Sequence, residues 1–121
     1  MNYESVVAVD SAVAPGVRYS VARVSFERRI ELMRRIRELA RRMEFLEAGQ
    51  EPGEKMDAAL LRAEIDRIWL LWGLRDVAGL EVDGAPATPE TLALAGPEEL
   101  FREALAAVWA QAGLTGAERK N

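Results

Sequence analysis

Five apolar residues, Leu32, Ile36, Leu39, Met43 and Leu46, recur at spacings of four, three, four and three. An α-helix puts such a series on one side, and the resulting seam has to be covered by another element. Phe26, Ile30, Met33 and Ala40 are expected to widen the seam into a broad face. Ser25 is placed to cap this helix, although Arg28 in place of a glutamate three residues on leaves the capping box incomplete. The run Gly49-Gln50-Glu51-Pro52-Gly53 then breaks the chain. A second helix is expected from about Glu54 to Trp72, with Met56, Leu60 and Ala63 on one stripe and Leu61, Ile65, Ile68 and Trp72 on the next. The stretch Ile68 to Trp72 is apolar all round, so that end is expected to be buried on several sides. Two helices joined by a short Pro-Gly connection predict an antiparallel helical hairpin.

Extended chain precedes the hairpin. Val6, Val7 and Val9 are β-branched, Ala14-Pro15-Gly16 interrupts, and Val17, Tyr19 and Val21 follow with period two. This reads as a β-hairpin, which is marginal alone and has to lie on the helices or gain a third strand. That strand is expected near Leu80, over residues 77–82, closed by the turn pair Asp83-Gly84. Thr88-Pro89 and Gly96-Pro97 each start a further helix, the last one apolar through Leu100, Phe101, Leu105, Val108 and Trp109 and ended by Gly113. The fold class is therefore α+β and mostly helical: an N-terminal β-hairpin with a third strand near Leu80, packed on a helical hairpin and C-terminal helices. At 121 residues this is one domain. Residues 1–24 form the hairpin, 25–114 the helical body with the short strand, and 115–121 a flexible polar tail.

Composition narrows the chemistry. The chain has neither cysteine nor histidine. It therefore lacks a thiolate nucleophile, a disulfide frame, the commonest zinc ligands and the commonest neutral-pH base. No phosphate loop or dinucleotide fingerprint occurs. Asp57 and Glu64 share a helix face, but carboxylates are mostly simply exposed. The expectation is no enzyme, no cofactor and no metal. No apolar run reaches the roughly 20 residues of a membrane helix, and no secretory signal opens the chain, so a cytoplasmic protein that meets no membrane is expected.

Binding to protein remains as the leading class. The candidate partner-binding residues are Leu32, Ile36, Leu39, Met43 and Leu46 on the seam, with Phe101, Val108 and Trp109 on the last helix. Trp69 and Trp72 are read as core, and the seam is expected to pack on the second helix before it pairs with a second copy in a homo-oligomer. The rival is nucleic acid: from Arg23 to Arg42 there are eight arginines against three glutamates. Yet the chain carries a net charge of −4 and the glutamates are interleaved. Ion pairs such as Glu31 with Arg35 and Glu38 with Arg42, at i,i+4 spacing, favour a solvated face over a phosphate-binding one.

The order Trp72-Gly73-Leu74, Gly79-Leu80-Glu81-Val82-Asp83-Gly84 and Ala85-Pro86-Ala87-Thr88-Pro89-Glu90-Thr91-Leu92, preceded by Val24-Ser25-Phe26-Glu27-Arg28-Arg29, resembles the tail assembly chaperones of long-tailed bacteriophages and prophages. The resemblance implies a protein that binds the tape-measure protein, helps recruit tail-tube subunits, works in the host cytoplasm and is absent from the finished particle. Its alternatives are a structural head–tail or tail-completion subunit, and a nucleic-acid-binding regulator using the Arg-rich helix 26–47.

Overall fold

The computed structural model describes residues 1–113; the expected tail at 115–121 lies outside the described residues. Three strands, β1 (Val6–Asp10), β2 (Arg18–Ala22) and β3 (Leu74–Ala78), form an antiparallel sheet in the order β1-β2-β3. Val7 faces Val21 and Val9 faces Tyr19, the register that the period-two pattern requires if one face is to be covered. Tyr19 and Val21 on the central strand are fully buried. The β1–β2 connection closes through Ser11 N–H to Val17 O at 2.9 Å and Val17 N–H to Ala14 O at 3.0 Å, with Gly16 at φ +88°.

Helix α1 (Phe26–Glu47) starts at the Ser25 cap, whose hydroxyl accepts the Arg28 N–H at 3.2 Å. Helix α2 (Pro52–Gly73) starts two residues before the expected Glu54, because Pro52 occupies a first-turn position where a missing N–H costs nothing. The two helices pack along the predicted seam. The broad face expected for α1 is narrower in fact: Phe26 and Met33 are 78% and 60% exposed.

The expected third strand exists but lies earlier. Chain leaves α2 at Gly73 and enters β3 at once, pairing Leu74 with Val21 and Val77 with Tyr19. Gly79, at φ +82°, ends β3. Leu80 follows outside the strands, and β4 (Glu81–Val82) with β5 (Ala85–Pro86) make a separate small hairpin. Its turn has Asp83 at φ +53° and Gly84 at φ +83°, the double positive φ that tight hairpins require. Helix α3 (Pro89–Ala95) carries a reciprocal cap between Thr88 and Thr91, and α4 (Glu98–Gln111) completes the described chain.

The main core joins Tyr19, Val21, Trp69, Leu70, Trp72, Leu74, Leu92, Leu100, Leu105 and Val108. Trp69 and Trp72 belong to it as the sequence indicates, packed edge-to-face with centroids 6.0 Å apart. A second, smaller cluster of Met43, Ala58 and Leu61 holds the far end of the helical hairpin, supported by Leu39, Leu46 and Ile65.

Candidate protein-docking surface

Helix α2 has two apolar sides, and only one of them is used. Ala58, Leu61, Trp69 and Trp72 turn into the cores, whereas Met56, Leu60 and Leu71, spaced four and eleven residues apart, remain exposed. At 1.5 Å per residue, Leu60 and Leu71 stand about 16 Å apart along the axis, three turns of one helix. Clefts flank this ridge. One, of about 570 Å³, lies between α1 and α2 and is lined by Glu38, Arg41, Arg42, Phe45 and Leu46 from α1 and Asp57, Leu60 and Leu61 from α2. Glu38, Arg41, Arg42 and Phe45 follow the i, i+3, i+4, i+7 pattern, so a single face of α1 supplies the wall. Phe45 is 75% exposed and Leu60 is 63% exposed.

Leu60 also borders a second cleft of about 350 Å³, whose opposite wall is Ala93 of α3 and Phe101 and Arg102 of α4. Arg102 pairs with Asp66 at 3.0 Å there, fixing α4 against α2. Arg67 and Ala93 lead on to a third cleft of about 580 Å³ with Ile68, Leu71 and the exposed Leu94. Apolar side chains with charged neighbours thus continue from Phe45 across α2 to Leu94.

The residues singled out in sequence fall on both sides of this surface. Leu32, Met43 and Val108 are buried in this conformation, Met43 in the small cluster between α1 and α2 and Leu32 and Val108 in the main core, with Leu32 also lining a narrow cleft of about 140 Å³ beside Ile36 and Trp69. Ile36, Leu39 and Trp109 are half-buried against those cores. Leu46 and Phe101 do open onto clefts. Phe45, Leu71 and Leu94 were not singled out, and Leu60 was placed on a stripe without a role. For Leu60 and Leu71 the signal is an α2 stripe that is apolar yet out of phase with the inward one, whereas Phe45 on α1 and Leu94 on α3 carry no such signal.

The arginines of α1 divide as well. Arg28 lies 4.7 Å from the Trp72 ring centroid, donates to the Trp72 carbonyl at 2.6 Å and pairs with Glu31 at 3.2 Å, so it fastens the start of α1 to the end of α2. Arg35 pairs with Glu31 at 3.0 Å, whereas the expected Glu38–Arg42 pair does not form. Among the described residues Arg29, Arg34, Arg37, Arg41 and Arg42 make no ion pair.

One perturbed pair has a structural purpose. Glu103 on α4 accepts from Ala12 N–H at 2.7 Å, Val13 N–H at 3.2 Å and the Tyr19 hydroxyl at 3.1 Å, tying the β1–β2 connection to the helix. Burial acts to raise its carboxyl pKa, but the hydrogen bonds from Ser11, Ala12, Val13 and Tyr19 together outweigh it and hold the pKa below the usual range. Burial, then the Glu103 charge, then their hydrogen bond push the Tyr19 hydroxyl up. Among the described residues no three acidic side chains come together as a metal site, so Asp57 and Glu64 do not assemble one, and no helix is long and apolar enough to cross a membrane. No family model, curated protein or solved structure matches the chain.

Proposed function

We propose that this protein acts by binding rather than by catalysis, as a tail assembly chaperone that holds the tape-measure protein and helps recruit tail-tube subunits. The observation that supports the reading is the run of exposed apolar side chains from Phe45 through Leu60 to Leu71 and Leu94, set in clefts rather than scattered. Grooves between helices accept the apolar face of a partner helix, read as anchors at i, i+3, i+4 and i+7. A partner that is a long amphipathic helix would otherwise aggregate through that same face.

Co-expression with a tape-measure protein of a long-tailed phage, followed by affinity purification and gel filtration, tests the reading. The expected result is a soluble complex that elutes together. A partner that stays insoluble, or that elutes alone, removes the reading. The rival, a nucleic-acid-binding regulator, draws on the five arginines of α1 that lack ion pairs. It predicts instead an affinity for duplex or single strands that falls steeply as salt rises.

A further inference from the structure

We infer that a small basic cleft at the opposite end of α1 from the Phe45 groove binds a phosphate group. The cleft, of about 180 Å³, is lined by Tyr3, Ser5, Arg23, Ser25, Arg28 and Arg75, with Val6 and Ala22 behind them. Three arginines and three hydroxyl-bearing residues line it, and no acidic residue is among its lining residues. Chain topology brings them together from four places. The Arg23 N–H donates to Ser5 O at 2.8 Å, extending the β1–β2 ladder by one step beyond the Val6–Ala22 pair. Arg75 follows Leu74, which faces Val21 across the sheet where the register shifts between Ser20 and Val21. Ser25 caps α1 and Arg28 lies in its first turn, where the helix dipole presents its positive end.

The arginines have different roles. Arg28 is already fixed by the Trp72 carbonyl and Glu31, and it contributes a positioned charge. Arg23 and Arg75 form no ion pair among the described residues, and Arg23 lies 5.8 Å from the Tyr3 ring centroid. The Ser25 oxygen accepts the Arg28 N–H, which leaves its own proton to donate. Arg23 and Arg75 bring two positive charges without an ion pair to one cleft, and a phosphate dianion offers oxygens to donors from several directions at once. A planar carboxylate satisfies one guanidinium fork and leaves the rest unpaired.

The test is a titration of the full chain with inorganic phosphate and with adenosine monophosphate, followed by backbone amide NMR. Ionic strength is held constant with chloride, and acetate serves as comparator. Saturable shifts confined to residues 3–6, 22–28 and 74–76 are expected. The double substitution Arg23→Gln with Arg75→Gln, both at exposed positions, is expected to weaken binding by about tenfold or more. It is also expected to abolish the phosphate-induced rise in Tm while leaving the spectrum elsewhere unchanged. Tighter binding of the ester would identify the natural ligand as an esterified phosphate, and tighter binding of the inorganic ion would identify free phosphate. Equal shifts with acetate or chloride, or full affinity in the double variant, would overturn the assignment.

Discussion

Glu103 shows how much of this fold can rest on one carboxylate. Its oxygens receive two backbone N–H groups of the β1–β2 connection and the buried Tyr19 hydroxyl, and the Tyr19 hydroxyl is the donor least able to find water in its place. A neutral amide keeps one acceptor and brings an N–H that faces donors. Glu103→Gln is therefore expected to cost about 1–2 kcal/mol at neutral pH, the lower part of the range for charged hydrogen bonds because two of the three are exposed. The sign with pH follows from the lowered folded-state pKa. The contribution is fully present above the unfolded glutamate value of about 4.3, and it is lost as pH falls through the lower folded value. Urea melts at pH 7 and below pH 4 should show the variant and the parent converging in acid. A gap that persists unchanged in acid would assign the cost to packing instead. None of this is legible in the sequence, because Ala12 and Glu103 are 91 positions apart and nothing local marks either.

At the level of elements, legibility followed periodicity. The α1 seam and the second helix were readable because a 3.6-residue period persists over several turns. The third strand was misplaced because β3 never shows a clean alternation: Leu74 is buried, Arg75 and Asp76 are both exposed, and the irregular register opposite Ser20 and Val21 breaks the phase. The helix-to-strand junction also has no spacer, and Gly73 at the end of α2 lets α4 approach closely there. A Cβ there would collide with the Val108 side chain on α4, whose branched Cβ gives it little freedom to move. Overpacking of this kind costs about 1–3 kcal/mol, against a helix-propensity gain of about 1 kcal/mol for alanine over glycine. Gly73→Ala is thus expected to destabilise by about 1 kcal/mol, and the double variant with Val108→Ala should lose less than the two single changes together. Additive losses in chemical denaturation would mean that the two positions do not meet.

Across the whole molecule the two cores divide the work. The main core is assembled from the sheet and all four helices, α1 joining it through Leu32, whereas the far half of α1 relies on the small Met43, Ala58 and Leu61 cluster shared with α2. Amides near that end are expected to exchange with solvent sooner than those of α4, because few buried contacts have to open there. The Phe45 and Leu60 groove lies on this less secured half, so a bound helix would protect the amides of residues 38–61 more than any others. Phe45→Asp and Leu60→Asp separate binding from folding. Both side chains are largely exposed, so each change should alter stability by about 0.5 kcal/mol or less. As central anchors of a docked helix, each should weaken partner capture by about tenfold or more. Leu61→Asp, one residue away but buried, should instead destabilise the hairpin end, since it puts a carboxylate among the apolar side chains of Met43 and Ala58. Exchange measured with and without the captured protein decides the matter. If both surface variants capture it normally and residues 38–61 gain no protection, the docking surface lies elsewhere on the molecule.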